Sequence, residues 1–108
     1  MKINIPDQSE IIQHYGVENQ FGIHMEECAE LIQAISKCNR EYKYYCSTDY
    51  MVDERDHLVE EIADVMICIE QLMEIYDIPD GFIEATIRDK VERQIRRMKD
   101  DSRDDHEG

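Results

Sequence analysis

Residues 59–69 read Val-Glu-Glu-Ile-Ala-Asp-Val-Met-Ile-Cys-Ile, an acidic motif that runs directly into an apolar segment. Glu61 and Asp64 are three positions apart, so on a helix they lie on the same face. The segment from Val65 to Ile69 is apolar on every side, and a helix with that pattern is usually buried on every side. The stretch therefore predicts a buried helix that carries two carboxylates on one face.

The spacing of apolar residues predicts an all-α fold, a helical bundle of about four helices per chain. The predicted bounds are Ser9–Tyr15 with Ser9 as N-cap, about Asn19 to Asn39, Asp53 or Asp56 to Tyr76, and about Asp80 to Met98. Only four Gly and two Pro are present, too few for the many turns of a β-sandwich or barrel. Arg40–Arg55 mixes polar and aromatic residues without a clear period and is interpreted as a loop, with room for extra helical turns at its start.

The predicted inward-facing residues lie on the third and fourth helices. They are Leu58, Ile62, Val65, Ile69, Leu72 and Tyr76, and then Ile83, Ile87, Val91, Ile95 and Met98. One small chain cannot surround a helix that is apolar on all sides. We therefore expect oligomerisation to complete the core, as a homodimer or a homotetramer.

The length of 108 residues predicts one domain over residues 1–98. Residues 99–108 contain no large apolar side chain and are predicted to form an acidic disordered tail. Asp and Glu number 26 against 12 Lys and Arg, which gives a net charge of −14. That charge argues against a nucleic-acid polymer or an anionic membrane as the main partner.

Cysteine usage favours a reducing, cytoplasmic location. Cys28, Cys38, Cys46 and Cys68 form no Cys-x-x-Cys pair, and we interpret all four as free thiols. A zinc site through Cys38 and Cys46 is a remote alternative. The sequence starts without a secretory signal pattern, and no run approaches the roughly 20 apolar residues of a membrane span.

A second acidic motif, Glu26-Glu27-Cys28-Ala29-Glu30, repeats the pattern of Glu60-Glu61-Ile62-Ala63-Asp64. No Lys or Arg lies between Phe21 and Ser36, or between Asp56 and Arg88. Carboxylates without counterions on two helices suit Mg²⁺, which prefers oxygen ligands and binds through carboxylates together with substrate phosphates. The alternative is a solvated acidic face on an already acidic protein.

The paired motif resembles the MazG-like branch of the all-α NTP pyrophosphohydrolases, over about Phe21 to Met98. The resemblance implies that Mg²⁺, with Mn²⁺ as a substitute, is bound by Glu27, Glu30, Glu61 and Asp64. It also implies hydrolysis of a nucleoside triphosphate to the monophosphate and pyrophosphate. Glu26 or Glu27 would then activate water as the catalytic carboxylate.

The residues that would bind the substrate are indicated less directly by the sequence than the metal ligands are. Lys90, Arg93 and Arg97 share one face of the fourth helix, and the resemblance favours Lys90 and Arg93 as ligands of the triphosphate. Some relatives hold the base with Trp and with a Tyr one turn after the Asp. This chain has no Trp and has Cys68 there. The remaining candidates for base binding are His24, Phe21, Tyr42, Tyr44, Tyr45 and Tyr50, each of which also suits ordinary packing.

Three alternatives remain open. Phosphoribosyl-ATP pyrophosphohydrolase shares the fold and the pattern of acidic residues, but it typically has Leu-Leu-Tyr-His where this chain has Val65-Met66-Ile67-Cys68. A di-iron bundle needs two Glu-x-x-His pairs, and only Glu54-x-x-His57 is present. A non-enzymatic helical module, with an acidic face for a basic partner, would tolerate neutral substitutions at the carboxylates.

Overall fold

The computed structural model describes residues 3–45 and 52–107, and it confirms the all-α prediction. Its helices are α1 (Ser9–Tyr15), α2 (Val17–Tyr45), α3 (Val52–Ile75) and α4 (Asp80–Glu107). Contacts divide the chain into two compact units, Met1–Tyr76 and Asp77–Gly108, where the sequence predicts one domain over residues 1–98. No helix among the described residues combines the length and the apolarity that crossing a membrane requires.

Helices α2 and α3 pack as an antiparallel pair. At one end Gln20 bonds Gln71, and at the other the Cys38 Sγ lies 3.7 Å from the Glu54 carbonyl oxygen. Buried and half-buried side chains recur on both helices at alternating steps of four and three residues, the spacing typical of a seam between two packed helices. The residues at these steps are Gln20, His24, Glu27, Leu31, Ala34 and Cys38 on α2, and Glu54, Leu58, Glu61, Val65, Cys68, Leu72 and Ile75 on α3. Gln71 on α3 also faces α2, through its bonds to Gln20 and His24.

This seam is more polar than the sequence predicts. Among the described residues, the only buried apolar side chains are Ala34 and Cys68. Three residues assigned to the inward stripe of α3 are exposed instead: Ile62 by 42%, Ile69 by 48% and Tyr76 by 64%. Within the single chain the assignment is wrong at these positions, because the residues turned toward α2 are the adjacent ones at 61, 68 and 75.

The N-terminus of α1 is held by carboxylates and not by its own serine. The sequence predicts Ser9 as N-cap, but the helix begins at Ser9 and the preceding Gln8 makes no side-chain cap. Instead, Asp7 Oδ1 accepts from the Ser9 N–H at 3.1 Å, and Glu74 Oε1 accepts from the Gln8 N–H at 3.0 Å. Negative groups suit this end of a helix, because its free N–H groups carry partial positive charge. Gly16 ends α1 as predicted, with a φ of 87°.

Helices α2 and α4 are longer than predicted, whereas α3 agrees to within one residue at each end with the prediction that starts at Asp53. Arg40–Tyr45 continue α2 and residues 52–55 belong to α3, so these parts of the predicted loop are helical; Cys46 and Tyr50 lie outside the described residues. The segment predicted to be a disordered tail continues α4 as far as Glu107. No Gly or Pro interrupts α4 after Gly81, and acid–base pairs four residues apart, such as Glu92 with Arg96, support a helix.

The residues of α4 that were predicted to face inward are exposed in the single chain. They are Ile83, Ile87, Val91, Ile95 and Met98. The sequence pattern correctly marks them as one apolar stripe, but a stripe alone does not say what covers it.

Candidate metal centre and adjoining groove

Three carboxylates from the two packed helices converge. One oxygen each from Glu27 on α2 and from Glu61 and Asp64 on α3 lie within 4.8 Å of one another. Glu27 and Glu61 occupy seam positions, so the packing of α2 on α3 places them opposite each other. Asp64 joins them because it is three residues beyond Glu61, on the same face.

Two of these carboxylates have lost much of their contact with water. Glu61 is only 6% exposed and Glu27 is half-buried. Glu27 Oε2 and Glu61 Oε2 are both buried, and neither has a hydrogen-bond partner among the described residues. A buried acceptor without a partner is costly, and a charged one more so. The arrangement therefore favours the binding of a cation or of a proton by these carboxylates.

The pKa values of Glu27 and Glu61 are both raised, as expected for carboxylates that are costly to ionise. Burial, followed by repulsion from Glu30 and Asp64, raises the pKa of Glu27 to about 6. Burial and then the charge of Glu30 also raise the pKa of Glu61, while His57 opposes the shift. Like charges crowded in a partly dry site disfavour the ionised form, and a divalent cation would reverse that preference.

The two remaining predicted carboxylates lie at the edge of the cluster. Glu30 is exposed on α2, outside the group of three, but its charge raises the pKa of both Glu27 and Glu61. Glu26 is exposed on the same helix. Its role in activating water stays a prediction.

His57 was not predicted as part of this site. Its Nε2 lies 3.8 Å from Glu61 Oε1, at a spacing of four residues on α3. That spacing was visible in the sequence and could have indicated the contact. The other member of the Glu54-x-x-His57 pair points elsewhere, because Glu54 lies 3.4 Å from the ammonium group of Lys37.

An apolar groove of about 600 Å³ is formed by residues of α2 and α3 together with Tyr76, and none of the three clustered carboxylates lines it. Cys28, the residue after Glu27, contributes to its wall, together with Phe21, His24, Met25, Leu72 and Tyr76. The rings of Phe21 and Tyr76 stack with centroids 6.2 Å apart and planes at 27°. Two of the predicted base-binding residues, Phe21 and His24, thus line one groove. Tyr42 is exposed on α2, and Tyr50 is outside the described residues.

A buried chain of amides fixes the ring of His24. Gln71 Oε1 accepts from Gln20 Nε2 at 2.9 Å and lies 2.7 Å from His24 Nε2. Gln71 Nε2 donates to Gln8 Oε1 at 3.0 Å, and Gln8 Nε2 donates to the Pro6 carbonyl at 2.9 Å. Sequence reasoning missed this network, because no local pattern reveals contacts between glutamines so far apart in the chain.

The three cysteines that the structure describes differ in burial, and only Cys68 is fully buried. Cys28, Cys38 and Cys68 are free thiols, and Cys46 lies outside the described residues. Burial, followed by the charge of Glu27, raises the pKa of the Cys68 thiol to about 11. Cys68 is therefore protonated at neutral pH and unsuited to nucleophilic chemistry.

Lys90 and Arg93 lie on α4, in the second unit, and both are exposed. Their predicted contact with a triphosphate stays a prediction. Comparison of the chain with protein-family models, with curated proteins and with solved structures gave no match. The function is therefore argued from the residues themselves.

Proposed function

We propose that this protein is a Mg²⁺-dependent nucleoside triphosphate pyrophosphohydrolase of the MazG-like type, which converts an NTP or dNTP and water to the monophosphate and pyrophosphate. The observation that carries the proposal is the convergence of Glu27, Glu61 and Asp64 within 4.8 Å, with two buried carboxylate oxygens that have no partner in the part of the chain that the structure describes. An acidic face that is merely solvated does not require such burial.

The donor set fits a hard divalent cation. Carboxylate oxygens are the ligands that Mg²⁺ prefers, and Mn²⁺ accepts the same set. Glu27, Glu61 and Asp64 would hold it, with Glu30 at the edge. When bound, the cation polarises the anhydride between the α- and β-phosphates and offsets the negative charge of the substrate.

The chain's own residues would supply the remaining steps. A carboxylate, Glu26 or Glu27, accepts a proton from the attacking water and orients it. Lys90 and Arg93 bind the polyphosphate, and His24 contacts the rest of the nucleotide. Oligomerisation as a homodimer or homotetramer would cover the apolar residues that a single chain leaves exposed, such as Ile69.

The test is pyrophosphate release from a panel of NTPs and dNTPs with Mg²⁺ or Mn²⁺. Glu61→Gln should lower kcat by at least two orders of magnitude, because it removes a buried ligand of the cation. Glu60→Gln, an exposed neighbour on the same helix, is the matched control and should retain activity. Glu61→Gln must also keep its helical circular dichroism.

Two outcomes would contradict the proposal. Release that is equal in Glu61→Gln and wild type would remove the carboxylates from the chemistry. No release from any nucleotide, with folded protein, would reject the NTP reaction. Phosphoribosyl-ATP is then the next substrate to assay, and after it a basic protein partner.

A further inference from the structure

His57 approaches Glu61 at the edge of the acidic cluster that Glu27, Glu61 and Asp64 form. The Nε2 nitrogen of His57 lies 3.8 Å from Glu61 Oε1, a separation too long for a hydrogen bond. Two ligands of one cation can be at most ~4.2 Å apart, since each bonds an ion such as Zn²⁺ at about 2.1 Å. The separation of the two atoms therefore suits two donors that share one ion.

The spacing of His57 and Glu61 is one that helices use to chelate metal ions. Side chains four residues apart lie on one face of a helix, and the zinc-binding motif His-Glu-x-x-His places its two histidines at this spacing. In His57-Leu58-Val59-Glu60-Glu61 a carboxylate takes the place of the second histidine. Both donors belong to α3, so a single helix sets their separation.

Glu61 is a buried group that lacks a partner for one of its oxygens. Only 9% of its side chain is exposed, and Oε2 has no hydrogen-bond partner among the described residues. Buried polar atoms are normally satisfied, so this orphaned oxygen points to a ligand beside Glu61. The side chain of His57 is 53% exposed, which leaves its ring accessible to an ion that arrives from solvent.

An imidazole nitrogen changes which ions such a centre prefers. Carboxylates alone suit Mg²⁺, Ca²⁺ and Mn²⁺, whereas imidazole suits the first-row transition ions, and non-haem iron sites combine histidine with a carboxylate. Mg²⁺ prefers oxygen ligands and gives up its waters reluctantly, so a nitrogen donor adds little to its binding. A centre that includes His57 as well as Glu61 therefore favours a transition ion.

We propose that His57 is a nitrogen ligand of the cation at Glu61, and that the centre for this reason binds a first-row transition ion such as Mn²⁺ in preference to Mg²⁺. This rests on the proposed function, which places a cation on the same carboxylates, and it names the class of ion. Glu27 and Asp64 supply oxygen donors to either ion. Mg²⁺ binds through the carboxylates alone, so the two ions differ in affinity and in the use of His57.

The first test is spectroscopic and uses Mn²⁺ alone, without nucleotide. Electron spin echo envelope modulation detects the ¹⁴N nucleus of an imidazole that is bound directly to Mn²⁺. We expect this signal in the wild type and its loss in His57→Gln, which replaces the nitrogen donor by an amide. His14→Gln is the matched control, because His14 is exposed on α1 beside Tyr15, and it should keep the signal. Both variants should keep the wild-type circular dichroism, since both side chains are exposed.

The second test compares affinities by isothermal titration calorimetry. The wild type should bind Mn²⁺ about tenfold more tightly than Mg²⁺, or more. His57→Gln should weaken Mn²⁺ binding by about tenfold or more, because losing even a group that only supports a ligand costs roughly 10–100-fold. The Kd for Mg²⁺ should change far less in this variant, since Mg²⁺ does not use the nitrogen. Glu61→Gln should weaken the binding of both ions, because both use its carboxylate.

The results separate this inference from the proposed function. It is overturned if Mn²⁺-loaded wild type shows no imidazole nitrogen, if the signal survives in His57→Gln, or if this variant weakens both ions alike. Metal-dependent pyrophosphate release alongside any of these results would leave the proposed function standing. Mn²⁺ ligated by His57 in a protein that releases no pyrophosphate would support the ligand and reject the reaction.

Discussion

Gln71 on α3 accepts a hydrogen bond from His24 on α2 across 2.7 Å, and the same oxygen also serves Gln20. The amide group of Gln71 therefore bonds three buried polar side chains: Gln20 and His24 through its oxygen, and Gln8 through its nitrogen. Such a network stabilises the fold only while every member has its partner, because an unpaired polar group is costly in a place that water does not reach.

We therefore expect Gln71→Leu to lower the free energy of unfolding by about 3 kcal/mol, since donors on Gln20 and His24 lose their acceptor. Urea unfolding followed by circular dichroism measures the change. Gln33→Leu, at an exposed position of α2, should stay within about 0.5 kcal/mol of wild type. A Gln71→Leu protein as stable as wild type would mean that the network contributes nothing net.

The acidic cluster should respond to metal. Mg²⁺ or Mn²⁺ at about tenfold above its Kd should raise Tm by roughly 5–10 °C, because binding to the native state alone adds about 1.4 kcal/mol. Differential scanning fluorimetry in metal and in EDTA measures the shift. Glu61→Gln should lose it and Glu60→Gln should keep it. Equal shifts in the two variants would place metal binding elsewhere.

The metal-free protein should lose stability as pH rises through the pKa of Glu27. Its folded pKa of about 6 is above the ordinary 4.5, so the folded state binds more protons between these values. The contribution is therefore complete below pH 4.5 and gone above about pH 6. Thermal unfolding in EDTA across this range should show a smaller decline in Glu27→Gln than in wild type.

Glu26→Gln is the matched control for that pH series, because Glu26 is the exposed neighbour of Glu27 on α2. It should show the wild-type decline. If Glu27→Gln and Glu26→Gln gave the same profile, the carboxylate responsible for the pH dependence would have to be another one.

The exposed apolar residues of α3 predict an assembly. Sedimentation equilibrium should give a mass of two or four times the 12.9 kDa chain. Ile69, which is 48% exposed in the single chain, is the position to test. Ile69→Glu should weaken association at least tenfold, since burial of such a side chain contributes about 1.5–3 kcal/mol. Glu60→Lys, an exposed polar position on the same helix, should leave the mass unchanged, and a monomeric wild type would contradict the prediction.

The sequence predicts the helices well because their apolar periods and breaks are local. The predicted bounds of α1, Ser9–Tyr15, match the structure, and the spacing of Glu61 and Asp64 correctly predicts that both lie on one face of α3. What a single helix cannot reveal is which of its faces meets a neighbour. Ile69 and Cys68 are adjacent and both apolar, yet only Cys68 is buried, since the choice depends on the register between α2 and α3.

The candidate site likewise has a part that the sequence predicts and a part that it does not. Glu27, Glu61 and Asp64 could be named from two short motifs, and the structure brings these three together. The amide chain through Gln71 could not be named, because it joins residues from the N-terminal segment, α2 and α3. A glutamine has no sequence pattern that distinguishes a buried bridge from a solvated side chain.

The bond from Gln8 to the Pro6 carbonyl has a practical consequence for anyone handling this protein. The hydrogen bonding of His24 is set remotely, by an extended segment ahead of the first helix that contributes neither to the acidic cluster nor to the groove wall. A purification tag, a fusion partner or a proteolytic cut that pulls this segment away would free Gln71 to flip its amide. The acceptor opposite His24 Nε2 would then become a donor, and two preparations of one sequence would differ in which nitrogen of this buried ring carries the proton.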